Sequence, residues 1–382
     1  MAWISSADAI RQLGVRPQTL YAYVSRGRLE ARPDPEDPRR SLYSAEDIER
    51  LASRRSGPKR AAEIARASIA WGEPVLTSKL TVIAEGRLCY RGVDAIDLSQ
   101  TATLEAAAAH FWAADYAPRP GMPPVPEGPL KARLFTALAA RAGADPHARG
   151  RSRTMLAADA AMVLETLVDA ATGGAGDGPI HQRLGAAWGL DPDGADLVRR
   201  ALVLILDHEL NASTFSARVA ASTGASLSAC ALAGLSTLSG PLHGAAVGGV
   251  LAFLSEAQLL GANVAVRTRL DEGRALPGFG HPLYPGGDPR ATELLAHFKV
   301  PERLAGILSA VANESGEHPN VDFAIAAMAQ RYALPVDAAF SVFAIGRSIG
   351  WLGHAMEQIE TGSLIRPRAR YDGVMPDNAA RP

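Results

Sequence analysis

Ser239-Gly240-Pro241-Leu242-His243-Gly244 interrupts a stretch, Val219 to Ser255, that contains no Asp, Glu, Lys or Arg. A run so free of charge is expected to be buried, either in a membrane or in a protein core. A spanning helix needs ~20 consecutive apolar residues, and the turn leaves only Val219 to Leu238 ahead of it. That segment is largely Ala, Ser, Thr and Gly, too weakly apolar for lipid, and the segment after the turn is too short to span. The reading is two buried core helices around a functional turn, and hence an all-α body. Alanine-rich segments of helical period extend it in both directions: Leu104 to Tyr116, Lys131 to Arg141, Met155 to Ala171, Ala195 to Leu210 and Val336 to Glu360. Small side chains let helices approach closely, which suits large helical layers. One hairpin is expected, from Leu80-Thr81-Val82-Ile83 and Arg87-Leu88-Cys89-Tyr90, turning at Glu85-Gly86.

With 382 residues, two or three domains are expected. A 47% apolar and 21% charged composition is that of a globular protein rather than a disordered one. The formal net charge of −1 gives no whole-chain reason to expect nucleic acid, membrane or an acidic partner. Cys89 and Cys230 are the only cysteines, too few for a disulfide scaffold or a Cys-based zinc site. A reducing, cytoplasmic location is therefore expected. The start, Met1-Ala2-Trp3-Ile4-Ser5, lacks the basic and apolar run of a secretory signal.

Charge is unevenly spread. Up to Arg60 there are 12 Lys+Arg against 8 Asp+Glu, a net of +4, and the remaining 27 against 32 give −5. Residues 1–57 read as a separate head. A helix begins at Ser6, Gly14 ends it, and Pro17 opens a second helix over Thr19 to Val24, a helix-turn-helix pattern. A proline-rich charged loop is expected from Arg32 to Arg40, then a return strand at Leu42-Tyr43-Ser44 and a capped helix. The head is similar to the small winged-helix DNA-binding heads of the MerR and excisionase type. On that resemblance Arg16, Gln18, Thr19 and Tyr21 would open a recognition helix, with Arg26, Arg28, Arg39 and Arg40 on phosphates. The competing reading is a head that packs on the body or binds protein. Ser56-Gly57-Pro58-Lys59-Arg60 is the expected linker, residues 58–75 holding the linker and a first helix and residues 76–382 the body.

Two further segments share the character of the first: Gly278-Phe279-Gly280-His281 with Asp288-Pro289-Arg290, and Pro319-Asn320-Val321-Asp322. Glycine and proline break helices, so His243, His281 and Asp322 are expected at turns or helix ends, converging on a cleft. One carboxylate and two imidazoles are suitable for moving a proton and holding charge on a carbonyl. In order and spacing the three segments resemble the active site of the citrate synthase family. Gly86-Arg87-Leu88-Cys89-Tyr90-Arg91-Gly92-Val93-Asp94, Asp207-His208-Glu209-Leu210-Asn211-Ala212-Ser213, Gly346-Arg347-Ser348-Ile349-Gly350 and Ile365-Arg366-Pro367-Arg368 also resemble that family's landmarks, over about Leu76 to Gly373.

The resemblance implies an all-helical homodimer with a large domain and a small one, roughly residues 245–335, that closes over the substrates. It implies condensation of acetyl-CoA with oxaloacetate and hydrolysis to citrate and CoA, the condensing step of the tricarboxylic acid cycle. The CoA thioester is then a substrate and no permanently bound cofactor is expected. Asp322 matches the base that takes the methyl proton, His243 the donor to the thioester oxygen, and His281 the group that polarises the ketone. His208, Arg290, Arg347 and Arg366 match the dicarboxylate ligands, Arg366 reaching across the dimer. Planar guanidinium forks suit two carboxylates. The histidines lack close ligand spacing, so no metal is expected.

The chain departs from the family where an arginine and a lysine usually follow the second histidine. Pro282 and Pro285 stand there, followed by Gly286-Gly287, which removes groups that ordinarily meet CoA phosphates. Gly244-Ala245-Ala246-Val247-Gly248 replaces the common "G-G-A-N-E" after His243, removing an amide and a carboxylate. Arg267, Arg269 or Arg368 are candidates to compensate. The alternatives are a 2-methylcitrate synthase using propionyl-CoA, a metabolite-sensing DNA-binding regulator with the same body, and an active enzyme regulated or docked through its head.

Overall fold

The computed structural model describes residues 3–13, 19–20, 23–24, 29–35, 37, 41–48, 76–118, 124–174, 176–369 and 371–374. The chain divides into two units, Met1–Thr77 and Ser78–Pro382. In the first, β1 (Trp3–Ser5) leads into α1 (Ser6–Leu13), where the Ser5 hydroxyl accepts the Asp8 amide at 3.2 Å. β2 (Ala31–Pro33) and β3 (Ser41–Ser44) complete an antiparallel sheet of order β1-β3-β2, with Trp3 opposite Ser44 and Ala31 opposite Tyr43. Ala9, Leu13, Leu20, Leu29, Tyr43 and Ile48 form its core.

This sheet corrects two expectations. Arg32 and Pro33 are strand residues rather than loop, and Trp3–Ser5 is an unforeseen strand. Three-residue strands are too short for a period-2 pattern and depend on backbone pairing with β3. With a second small sheet in the body, the fold is mostly helical rather than all-α. Arg16, Gln18, Tyr21, Arg26, Arg28, Arg39 and Arg40, and the linker Ser56–Arg60, lie outside the described residues. Thr19 is helical and half-buried.

In the second unit the expected hairpin forms as β4 (Thr81–Ala84) and β5 (Arg87–Tyr90), with β6 (Val93–Asp94) added at its edge. Its turn residues Glu85 and Gly86 have φ of 52° and 75°, the left-handed pair of a two-residue hairpin. Helices follow: α2 (Ala95–Thr101), α3 (Leu104–Trp112), α4 (Leu130–Ala144), α5 (Arg153–Thr172), α6 (Ile180–Ala187) and α7 (Pro192–Leu204). Then come α8 (Ala212–Ser222), α9 (Leu227–Leu238), α10 (Ala246–Leu260), α11 (Ala262–Asp271), α12 (Pro289–Ala296), α13 (Glu302–Glu314), α14 (Val321–Arg331) and α15 (Ala338–Thr361). The charge-free run is thus parts of three helices rather than two. Gly224 at φ 84° stops α8, and Ser226 caps α9 by accepting the Ala229 amide.

The long helix α15 is buried over most of its length and forms the axis of one continuous core reaching from Leu80 to Met356. Gly346 and Gly350 let the chain at 202–207 lie directly on it. A methyl group on Gly346 would come within 2.9 Å of the Leu202 carbonyl oxygen. One on Gly350 would come within 2.7 Å of the Leu206 carbonyl and closer still to Asp207 Oδ1. The Gly350 amide donates to the Leu206 carbonyl (3.2 Å) and Arg347 Nε to the Ile205 carbonyl (2.9 Å). Those carbonyls are therefore taken by α15, and α7 ends at Leu204 instead of running to Leu210. No single helix among the described residues is long and apolar enough to cross a membrane; α10 and α11 pass that test only as a pair, bent by 117°.

Candidate active site

His243 occupies the turn between α9 and α10, its ring half-buried. Its Nε2 lies 2.7 Å from Ser213 Oγ in the first turn of α8, and Trp351 Nε1 on α15 donates to the same oxygen at 3.0 Å. Asn211, which caps α8, has its Oδ1 turned to the Thr214 amide (3.2 Å) and its Nδ2 to Thr214 Oγ1 (2.9 Å). That Oδ1 is also 2.8 Å from Ser213 Oγ. The single Ser213 proton therefore has two acceptors, and its choice selects the imidazole tautomer. Given to His243 Nε2, it leaves Nδ1–H as the donor that can face a ligand. Burial, with a smaller contribution from Arg347, lowers His243 to about 4, so the ring is neutral at physiological pH.

His281 follows the turn at Gly278–Gly280. Its Nδ1 accepts the Leu283 amide at 3.1 Å, so the proton of the neutral ring sits on Nε2. Burial, then Arg290, lowers it to about 4. Its ring lies 5.2 Å from His208 and 4.9 Å from Tyr284, centroid to centroid. Tyr284 Oη is 3.0 Å from His208 Nε2. Burial holds His208 well below its ordinary range, helped by Arg290, Arg347, His281 and His243. A cavity of about 210 Å³ opens here, with His281, Tyr284, Pro285, Glu317 and His318 among its lining residues.

Asp288 ties three elements together. It caps α12 through Oδ1, which accepts the Arg290 amide (3.0 Å) and Nε (2.9 Å), while Oδ2 accepts Arg290 Nη2 (2.8 Å) and the Val321 amide (2.9 Å). Burial would raise this carboxyl, but Arg290 and these hydrogen bonds together hold it below the usual range. Arg290 Nη1 has no hydrogen-bond partner among the described residues. The Val321 bond fixes the start of α14, whose cap Asn320 also donates from Nδ2 to the Gly280 carbonyl at 3.1 Å. Asp322 stands in the first turn of that helix, and its carboxylate has no hydrogen-bond partner among the described residues. Burial raises it from 3.8 to about 6; Arg290 and Arg347 pull it down and Asp288 pushes it up.

Arg347 is buried on α15, and burial lowers its own affinity for a proton. Behind it Asp207 accepts Thr81 Oγ1 at 2.6 Å and faces His354 Nε2 at 3.3 Å. His354 Nδ1 is 2.7 Å from Arg218 Nη1, which also pairs with Glu357 at 2.7 Å. Because a guanidinium only donates, His354 accepts at Nδ1 and carries its proton on Nε2 toward Asp207.

Of the expected site residues, His208, His281 and Arg290 are brought together around Tyr284, Asp322 is linked to them through Asp288, and His243 and Arg347 lie within electrostatic reach. Arg366 is exposed in the irregular chain after α15 and makes no hydrogen bond or ion pair with them among the described residues. Of the three arginines expected to compensate at a CoA site, Arg267 already pairs with Glu314 at 2.7 Å, and Arg269 pairs with Glu256 over the Phe253 ring. Arg368 is exposed. Sequence reasoning did not single out Ser213, Tyr284 and Asp288, which contact His243, His208 and Arg290. Asp288 alone had a readable signal, a cap residue immediately before Pro289.

A family pattern described as the citrate synthase C-terminal domain matches residues 131–368. Over 193 residues the chain is 38% identical to citrate synthase 2 of Bacillus subtilis, covering 48% of this chain and 52% of that protein. Over 185 residues it is 33% identical to 2-methylcitrate synthase 2 of Corynebacterium glutamicum, covering 46% and 48%. The chain spans about half the length of the curated relatives it matches. Its fold is similar to that of citrate synthase from Thermotoga maritima, with a TM-score of 0.64, 24% identity and coverage of 81% of this chain and 96% of that one. It is also similar to citrate synthase of Thermoplasma acidophilum, solved as a ternary complex with carboxymethyl coenzyme A and oxaloacetate (TM-score 0.66, 22% identity, coverage 82% and 98%).

Proposed function

The chain belongs to the citrate synthase family, and from that premise we propose that it condenses an acyl-CoA, acetyl-CoA first, with oxaloacetate and hydrolyses the product thioester. Asp322 takes a proton from the carbon beside the thioester carbonyl, and the His243 Nδ1–H donates to the enolate oxygen as it forms. The carbanion attacks the ketone carbon of oxaloacetate, whose oxygen His281 polarises and protonates through Nε2–H. Water then cleaves the thioester, releasing CoA. Arg290, Arg347 and His208 hold the two carboxylates, and Arg366 serves the site of a partner subunit in a homodimer. Residues 245–335 form the small domain that closes over the substrates.

Asp322 carries this reading. A carboxylate raised to about 6 by burial is matched to proton abstraction near neutral pH. A mere sensor of dicarboxylates has no use for an unpartnered negative charge beside its ligand. The decisive experiment is thiol release from acetyl-CoA and propionyl-CoA with oxaloacetate, comparing wild type with Asp322→Asn. The expected result is turnover with at least one thioester and a loss of 10³-fold or more in the variant, about 4 kcal/mol of transition-state stabilisation. No turnover with either thioester, while oxaloacetate still binds, overturns it in favour of the sensor. The similarity to a 2-methylcitrate synthase makes propionyl-CoA the second substrate to compare, since one methylene alters discrimination by only ~1–3 kcal/mol.

The head favours a DNA contact in addition. Its three-stranded sheet beside short helices, on a segment of net charge +4, supports the winged-helix reading of Arg16, Gln18, Thr19, Tyr21 and Arg28. Retention on duplex DNA that falls steeply between 50 and 200 mM salt is its signature.

A further inference from the structure

Tyr284 takes no part in the proton transfers above, yet it lies where the dicarboxylate ligands meet. The residue is 3% exposed and lines the cavity beside His281. The ring contacts His208 at 5.6 Å and His281 at 4.9 Å, and the Arg290 guanidinium carbon lies 5.3 Å from its centroid. A phenylalanine would fill the same space without burying a hydroxyl, which costs free energy unless it is hydrogen-bonded. Among the described residues, that hydroxyl has one hydrogen-bond partner, His208 Nε2 at 3.0 Å.

The direction of this bond follows from elementary acid–base chemistry. Burial keeps the phenol protonated, pushing it up to about 12, and keeps His208 neutral. A phenol O–H is a much stronger donor than a neutral imidazole N–H, and an imidazole lone pair is a stronger acceptor than a phenol oxygen. The hydroxyl therefore donates to Nε2, and the one proton of His208 is on Nδ1. Arg290 and Arg347 both act electrostatically on His208, and an Nδ1–H in that field would offer a substrate carboxylate a further donor. The opposite tautomer would set a lone pair against it.

We infer that Tyr284 is a positioning residue that fixes the His208 tautomer, so that a keto dicarboxylate is met by an N–H rather than a lone pair. The inference rests on the condensation reading only for its kinetic test. In full-length Tyr284→Phe the KM for oxaloacetate should rise about 10- to 100-fold, the range of one lost hydrogen bond to a charged group. The KM for acetyl-CoA and kcat should change less than about threefold. A packing defect would instead move both substrates together. ¹⁵N spectra of histidine-labelled protein, with His208→Asn to assign the signal, should give His208 as Nδ1–H in the wild type and a shifted tautomer ratio in Tyr284→Phe. An unchanged oxaloacetate KM, equal changes for both substrates, or His208 found as Nε2–H in the wild type would overturn the assignment. If the wild type shows no turnover, the condensation reading fails alone. The wild-type spectrum and the calorimetric Kd of oxaloacetate still decide the role of Tyr284.

Discussion

Asp322 sits where a carboxylate is normally easy to ionise, in the first turn of a helix under the positive end of its dipole. Burial outweighs that advantage and raises it from 3.8 to about 6. Two consequences of opposite kind follow. For the proposed reaction, a base at Asp322 is protonated below pH 6, so kcat/KM should fall about tenfold per unit as pH drops below that value. His243 and His281, lowered to about 4, remain neutral through this range and leave the limb to Asp322. For the fold, a raised carboxyl contributes stability that is complete below the unfolded value of 3.8 and is lost as pH rises through 6. Asp322→Asn is therefore expected to be more stable than wild type by about 1–3 kcal/mol at pH 8. The gain should fade between pH 6 and 3.8, and urea titrations at three pH values would measure it; a variant less stable than wild type at pH 8 would contradict the burial argument. These groups were singled out in the sequence because glycine or proline stands within three residues of each of them. Ser213 and Tyr284 were not. Their roles exist only through partners 30 and 76 residues away, and a serine in a helix or a tyrosine in a loop has no local mark.

At the scale of elements, the helical segments were readable where an apolar face repeats over several turns, as in Leu130–Ala144 and Arg153–Thr172. The end of Pro192–Leu204 was not. Ile205 and Leu206 are as buried as the helix before them, so hydrophobicity continues where the helix has stopped. What ends it is a use of backbone oxygens by Gly350 and Arg347, more than a hundred residues on, which no periodicity can carry. This junction places Asp207 and His208 against the helix that bears Arg347, and it depends on the absence of a side chain at Gly350. Gly350→Ala would put a carbon within 2.7 Å of the Leu206 oxygen, on a fully buried face. The atoms it would meet are backbone and a buried carboxylate rather than a flexible side-chain end, so the overpacking should cost about 1–3 kcal/mol and lower the melting temperature by several degrees. Oxaloacetate affinity should weaken with it, because the same contact positions His208. A variant with unchanged melting and unchanged affinity would show that the junction can spread at little cost.

The whole molecule has two hydrophobic cores of very different size. Among the described residues one lies between Ala9 and Ile48, and the other runs from Leu80 to Met356. A unit as short as Met1–Thr77 buries a smaller share of its surface than the body does, and its fold is the more marginal of the two. The large core offsets its chain entropy with a far greater buried area, and every proposed substrate ligand from His208 to Arg347 is built on it. Unfolding should therefore be two events rather than one, and a single melting temperature would misdescribe the chain. On the proposed function oxaloacetate would bind only the folded body, so at 100 times its Kd it should stabilise that unit by about 2.7 kcal/mol. In a scanning calorimeter the larger, later transition should move up with oxaloacetate while the small early one stays in place. Duplex DNA, if the basic head takes it, should move the early transition alone and lose this effect at high salt. One merged transition, displaced as a whole by either ligand, would mean that the two cores stabilise each other and that the head is coupled to the chemistry of the body.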